Sequence, residues 1–404
     1  MKRLSQETLL MIEQNSNELK CLNIGHSMTH SPGVTFDDGE FNSSNSDDYD
    51  RLGTAIGNNT QLTKLMLDNL YDNVTLNATN ENFYNGIRNN SSITKLYLHS
   101  ITPRPQSSIR YNSIADAALE TLRACQEKNI LTELHINTMP LMSSAELYRF
   151  VESLGCLTNL RDIILIRLDI TDEQLLPMVE AIRGHTLIEE LDLNHNRIGN
   201  AGCEALATLR NVTKVLLSDN NIGNEGMISI ANSLCENKNL RKLLIYNNNP
   251  FNLQNVEGYF SRALCNTSSI NDIYLSNHTL ELIHIEQDKG AKLRSLLEMN
   301  KKTNKRHVAI EKILLYHPPI DMEPLFDLSL EEDDSGQDLK ALPHVISWFE
   351  TAKEAIIEDV PRAHYDLGIR KISAIYQFVT AMPMLFIPAS LDNGIDKKRK
   401  RSSD

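Results

Sequence analysis

The sequence predicts an α/β solenoid: one parallel sheet lining the inside of a curve, with helices along the outside. Three observations predict it. First, a phrase recurs: Ile188-Glu189-Glu190-Leu191-Asp192-Leu193-Asn194-His195-Asn196-Arg197-Ile198 and Val212-Thr213-Lys214-Val215-Leu216-Leu217-Ser218-Asp219-Asn220-Asn221-Ile222 both fit L-x-x-L-x-L-x-x-N-x-L. Second, from Leu131 to Ile270 its starts are separated by 24 to 30 residues, enough for a strand, a helix and two turns. Third, apolar periodicity changes from two to three-and-four after each phrase, as when Met227, Ile230, Ala231 and Leu234 follow Ile222.

The whole chain sets outer limits. A repeat spread over most of 404 residues argues for one elongated domain rather than several globular ones. A net charge of −13 repels a phosphate backbone, so no nucleic-acid partner is expected. Residues 1–20 lack a continuous apolar run, since Glu7, Thr8, Glu13 and Gln14 interrupt it, and no secretory signal is expected. Cys21, Cys125, Cys156, Cys203, Cys235 and Cys265 form no C-x-x-C pair and are expected to be reduced, buried small hydrophobes rather than disulfides or zinc ligands.

Residues 1–18 are expected to form an N-terminal helical cap, and about ten repeat units occupy 19–324, starting at Leu19, Leu62, Ile93, Leu131, Leu160, Ile188, Val212, Leu240, Ile270 and Ile310. In each unit the apolar pair, such as Leu191 and Leu193, points into the solenoid, and the residue between them points out. Asn196, Asn220 and Asn248 take the inward polar position, where an amide satisfies backbone groups of adjacent turns. Asp172, Asn200 and Asn224 are expected to cap the helices that follow.

Two interruptions stand out. The Ser-, Asn-, Asp- and Gly-rich segment 28–50 predicts a mobile loop, and Thr102-Pro103-Arg104-Pro105 breaks the third unit at its strand exit. Beyond Ile320 the period is lost. An acidic linker, Glu331-Glu332-Asp333-Asp334, leads into a helical C-terminal cap over 325–392, with apolar stripes in 345–360 and 367–382. The apolar stretch 382–388 is too short and too proline-rich to span a bilayer. In the final tail, 393–404, Lys397, Lys398, Arg399, Lys400 and Arg401 have the composition of a nuclear localisation signal, for which an import receptor would be the partner. A cytoplasmic or nuclear location, or both, follows as the expectation.

The repeat length and phrase resemble the ribonuclease-inhibitor-like class of leucine-rich-repeat proteins, over roughly Leu19 to Ile320. Along its length, including Asn300-Lys301-Lys302 and Leu342-Pro343-His344-Val345, the chain is similar to uncharacterised leucine-rich-repeat proteins of unicellular algae. The resemblance implies a curved horseshoe but supplies no activity. GTPase-activating proteins of the nuclear-transport GTPase share this repeat type. Here the loops near Gly25 and Asp68 offer no arginine to approach a transferred phosphate, and activation of GTP hydrolysis stands as the runner-up to a protein-interaction scaffold. An inhibitor enclosing an enzyme is a third function that such a horseshoe serves.

Chemistry finds no foothold in the sequence. It contains no G-x-x-x-x-G-K-[ST], H-E-x-x-H or G-x-S-x-G, and no cofactor, metal or catalytic residue is expected. The candidate site is therefore the row of outward strand positions, which binds a protein partner: Tyr97, Ile164, Asp192, Leu216, Leu244, Tyr274 and Leu314, flanked by Tyr246 and Tyr316. Beside it runs a second row, Cys21, Lys64, Lys95, Glu133, Asp162, Glu190, Lys214, Lys242, Asp272 and Lys312, whose charges fall in blocks: basic, acidic, basic, then mixed.

Overall fold

The computed structural model describes residues 5–25, 39–43, 45–68, 76, 80–99, 108–138, 143–249, 253–268, 270–285 and 290–316. The expected C-terminal cap, the basic tail and the proline-containing break at 102–107 lie outside them. The chain divides into two units: unit 1 is Met1–Leu264 with Thr279–Lys301, and unit 2 is Cys265–His278 with Lys302–Asp404.

Unit 1 is built on one sheet, whose strands are β1 (Cys21–Gly25), β2 (Gly39–Phe41), β3 (Lys64–Asp68), β4 (Lys95–His99), β5 (Glu133–Asn137), β6 (Asp162–Ile166), β7 (Glu190–Asp192), β8 (Lys214–Leu216), β9 (Lys242–Leu244) and β10 (Leu282–His284). Every pairing is parallel, in the order β10-β9-β8-β7-β6-β5-β4-β3-β1-β2. From β3 to β10 each strand therefore lies beside its neighbour in sequence, joined by the crossover connection that a parallel pair requires. Before β1 runs α1 (Ser5–Glu13), and between later strands α2 (Ser46–Asn58), α3 (Glu81–Asn89), α4 (Ser108–Gln126), α5 (Ser144–Cys156), α6 (Asp172–Ile182), α7 (Asn200–Leu206), α8 (Asn224–Ser233) and α9 (Leu253–Leu264). In unit 2 lies α10 (Ile270–Leu275), in unit 1 α11 (Ala291–Asn300), and in unit 2 again α12 (Lys305–Tyr316).

The core of unit 1 lies between sheet and helices. Leu96, Leu98, Leu134, Ile136, Leu191 and Leu193 are buried from the strands, and Phe83, Phe150, Met178, Cys203 and Met227 from the helices. Burying one row of each element on the shared side is what the two periodicities anticipate.

Polar groups at the turns are satisfied by side chains that reach from one repeat to the next. Asn196 donates from Nδ2 to the carbonyls of Leu165 (2.8 Å) and Leu193 (3.0 Å), while its Oδ1 accepts from the amides of Leu168 and Ile170. Asn220 and Asn248 repeat the arrangement one and two units later, each donating to the repeat before it. Immediately before these asparagines, His195, Asp219 and Asn247 adopt positive φ (56°, 58° and 54°), which turns the chain sharply out of the strand.

A second ladder stands at the opposite end of the strands. Asn59, Asn90 and Asn237, each three residues before a unit's first apolar residue, accept from the amides of Leu62, Ile93 and Leu240. They donate in turn to the preceding repeat, at Ile12, Ile56 and Leu209.

Several expectations are corrected. The segment 28–50 is not loop throughout. Gly39–Phe41 pairs with β1, and α2 begins at Ser46, capped by the side chain of Asn45. Phe41 makes the difference: it is fully buried and meets Tyr49 edge to face at 5.5 Å. The helix caps fall one residue earlier than expected, at Thr171, Gly199 and Gly223. Asp172 and Asn200 point onward instead, accepting from the amides of Gly199 (2.7 Å) and Gly223 (2.8 Å) in the next unit. Cys156 and Cys235 are exposed, whereas Cys21, Cys125, Cys203 and Cys265 are buried, all six as free thiols. Burial pushes the thiols of Cys125 and Cys203 up to about 12.

The ninth and tenth strands are also misplaced by the phrase. Ile270–Leu275 is a helix, and so is Lys305–Tyr316. The strand after β9 is Leu282–His284, because Leu280, Ile283 and Ile285 repeat the required apolar spacing ten residues further on. All three are buried. Tyr274, Leu314 and Tyr316, and with them Asp272 and Lys312 of the charged row, thus belong to helices of unit 2 and not to the sheet. Within unit 2 the fully buried Lys312 donates to the carbonyl of Asn277 and to Nδ1 of His278, both at 3.1 Å.

Candidate functional site

Strand register aligns the outward positions of unit 1 into three rows. The central one is Asn23, Met66, Tyr97, His135, Ile164, Asp192, Leu216, Leu244 and His284. The row at the strand starts is Cys21, Lys64, Lys95, Glu133, Asp162, Glu190, Lys214, Lys242 and Leu282. The row at the strand exits begins Gly25, Asp68, His99, Asn137 and Ile166, and continues through Asn194, Ser218 and Tyr246 by cross-repeat backbone bonds.

The face has two parts of different character. Over β1 to β4 the outward positions are largely closed off: Asn23, Met66, Asp68 and His99 are buried. Their neighbours form a local polar network. Tyr97 donates its hydroxyl to Glu133 Oε1, Glu133 also meets Lys95 at 2.7 Å, and Lys64 Nζ sits 3.9 Å from the centre of the Tyr97 ring. The rings of His99 and His135 meet edge to face at 4.5 Å, and Tyr97 lies 5.6 Å and 5.1 Å from them.

Burial governs the ionisation of this network. It pulls the imidazoles of His99 and His135 down to about 3 and about 4, with Lys64 and, for His99, the second imidazole acting the same way. The pair is neutral at physiological pH. Burial also disfavours the charge of Glu133, but hydrogen bonds from Lys95 and Tyr97 outweigh it and hold the carboxyl below its usual range. Tyr97 is thus engaged within the chain by Glu133, His99 and His135.

Over β6 to β10 the face opens. Ile164 and Leu244 are half-buried, and Tyr246 is 36 % exposed. Leu282 (38 %) and the exposed His284 join them, and the His284 ring stands 5.0 Å from that of Tyr246. Asp192 and Leu216 line the floor, each only 8 % exposed. Burial raises the carboxyl of Asp192, partly offset by the hydrogen bond it accepts from the amide of Asn194 at 3.0 Å.

Of the residues expected to bind a partner, Ile164, Asp192, Leu216, Leu244 and Tyr246 share this open surface. Tyr97 stands apart on β4, and Tyr274, Leu314 and Tyr316 are in unit 2. Leu282 and His284 were missed because the phrase matches first at Ile270; the second match, at Leu280, carries the signal. Among the described residues no three His, Cys, Asp or Glu side chains are grouped to hold a metal ion, and no helix is long and apolar enough to cross a membrane.

Comparison with known proteins bears on the fold. A family model described as Leucine Rich repeat matches residues 184–207 and 208–231. No curated protein sequence matches the chain. Among solved structures it is similar to actin-binding site 2 of leiomodin-1, with 20 % identity over 42 % of this chain and 92 % of that one and a TM-score of 0.32. An internalin from Listeria monocytogenes is similar at 14 % identity over 64 % of this chain and 76 % of that one, again with a TM-score of 0.32. The two matched repeats contain β7 and β8, and strands of the same register continue on both sides of them; unit 1 has the fold of an open α/β leucine-rich-repeat solenoid.

Proposed function

We propose that this chain is a protein-interaction scaffold that takes its partner on the concave, helix-free face of β6 to β10. The observation that carries the reading is the apolar and aromatic surface formed by Leu244, Tyr246, Leu282 and His284 at positions where a solvated sheet face ordinarily carries polar residues. Tyrosine supplies large contact area at small conformational cost, and clustered anchors of this type carry most of the affinity in protein interfaces. The two binding-type alternatives, an adaptor and an enzyme inhibitor, use the same surface.

The test is a double substitution, Tyr246→Asp with Leu282→Asp, at two exposed side chains that support no core packing. Proximity labelling with the wild-type chain should identify a partner that purified protein then binds directly, and the double variant should lose it while melting as wild type does. Equal binding by wild type and variant would overturn the assignment.

A further inference from the structure

Beside the apolar surface, the row at the strand starts carries an ordered sequence of charge. Asp162, Glu190, Lys214 and Lys242 follow one another on β6 to β9. The inner two neutralise each other, Lys214 Nζ to Glu190 Oε1 at 2.7 Å. Just outside the row Arg161 pairs with Glu189 at 2.7 Å, and Arg241 approaches Glu281 at 3.8 Å. The ends of the row are left over. Neither Asp162 nor Lys242 makes a side-chain hydrogen bond or ion pair among the described residues.

The two ends differ in their surroundings. Asp162 is half-buried near Glu133, Glu190 and Glu189, and burial first, then those carboxylates, raise its pKa against a smaller opposing effect of Lys95, so an incoming cation relieves what Lys95 does not. Lys242 is exposed, with Arg241 beside it and no acidic neighbour in its own row, since the next position is Leu282. Between the ends lies a cleft of about 320 Å³, lined also by Glu189, Glu190, Thr213, Lys214, Arg241 and Glu281. Three strand spacings separate Asp162 from Lys242, about 14 Å, which a segment of four or five extended residues spans.

We propose that this row fixes the direction of a partner peptide laid across β6 to β9, with a basic side chain at Asp162, an acidic side chain at Lys242, and an apolar side chain against Leu244 and Tyr246. The proposal rests on the concave-face reading and adds to it the chemistry and polarity of the bound segment. Complementary charge of this kind orients an encounter and excludes reversed or like-charged segments more than it adds affinity.

A random peptide library displayed on phage and selected against the full chain at low salt supplies the probe, and the selected peptides are then synthesised with a fluorescent label. Expected are peptides with one basic and one acidic residue about four positions apart and an apolar residue near the acidic one. Lys242→Glu should weaken them on the order of tenfold, and Asp162→Asn should weaken them less. A peptide with its charges exchanged should bind the double reversal Asp162→Lys with Lys242→Glu better than it binds wild type. Peptides that are lost on Tyr246→Asp with Leu282→Asp but ignore Lys242→Glu overturn the charge assignment and leave the concave-face reading standing. Peptides that ignore both overturn both, and a selection without binders overturns the directional proposal alone.

Discussion

At the scale of single residues, the turns of unit 1 are held by amides that each serve two repeats. Asn220 makes its bonds inside the protein, to Leu193, Leu217 and Ile198, and truncating it strands buried carbonyls and an amide at once. Asn220→Ala is expected to cost about 1–3 kcal/mol in denaturant unfolding. Asn237→Ala, on the opposite ladder, should cost a similar amount. Asn220 could be read from the sequence because the leucine phrase numbers its position; Asn237 could not, because it lies between a helix and the next strand, where asparagine has many uses. A second expectation concerns protons. His99 and His135 titrate near 3 and 4 when folded and near the ordinary 6.5 when unfolded, so between those values the unfolded chain binds more protons. Their contribution is complete above pH 6.5 and is lost as pH falls towards 4. Melting temperatures of wild type and His99→Gln with His135→Gln, compared from pH 7 to 5, should therefore converge as the solution becomes more acidic; a constant difference would refute the linkage.

At the scale of elements, α2 and α3 meet through a pair of glycines. A methyl group on Gly86 would fall onto the backbone of Gly53, so α2 and α3 pack with their main chains almost touching. Gly86→Ala should destabilise by about 1–3 kcal/mol through overpacking. Gly258, on α9, has nothing near its missing methyl, and Gly258→Ala should instead stabilise by about 0.5–1 kcal/mol through helix propensity. Thermal melts of the two variants should shift in opposite directions. Strand and helix order from β3 to β9 was legible because one apolar phrase appeared once per unit. Around Ile270 it was not, since Ile270-x-x-Ile273-x-Leu275 and Leu280-x-x-Ile283-x-Ile285 satisfy the same spacing and only tertiary pairing separates them. The same ambiguity hid Leu282 and His284. The split of the face into a closed polar part and an open apolar part was also out of reach, because the row Asn23, Met66, Tyr97 reads as outward whether or not it is covered.

At the scale of the molecule, unit 1 gains its stability from nearest neighbours: sheet pairing, helix stacking and three kinds of bridging side chain all join one repeat to the next. A partner bound across β6 to β9 spans four repeats and should raise their shared stability. Hydrogen exchange in the presence of a selected peptide should slow at β6 to β9 and remain unchanged at β1 to β4; uniform slowing would argue against a local footprint. The asparagine ladders also give the unit a mechanical character. Because each rung is tied to the turn before it, a force that peels the sheet from one edge must break one rung at a time while the rest remain closed. In an optical trap, extension of the repeats between Leu131 and Leu240 should then advance in steps, each releasing the 24 to 29 residues of one repeat, about 8–10 nm of extended chain, and Asn220→Ala should lower the force of a single step.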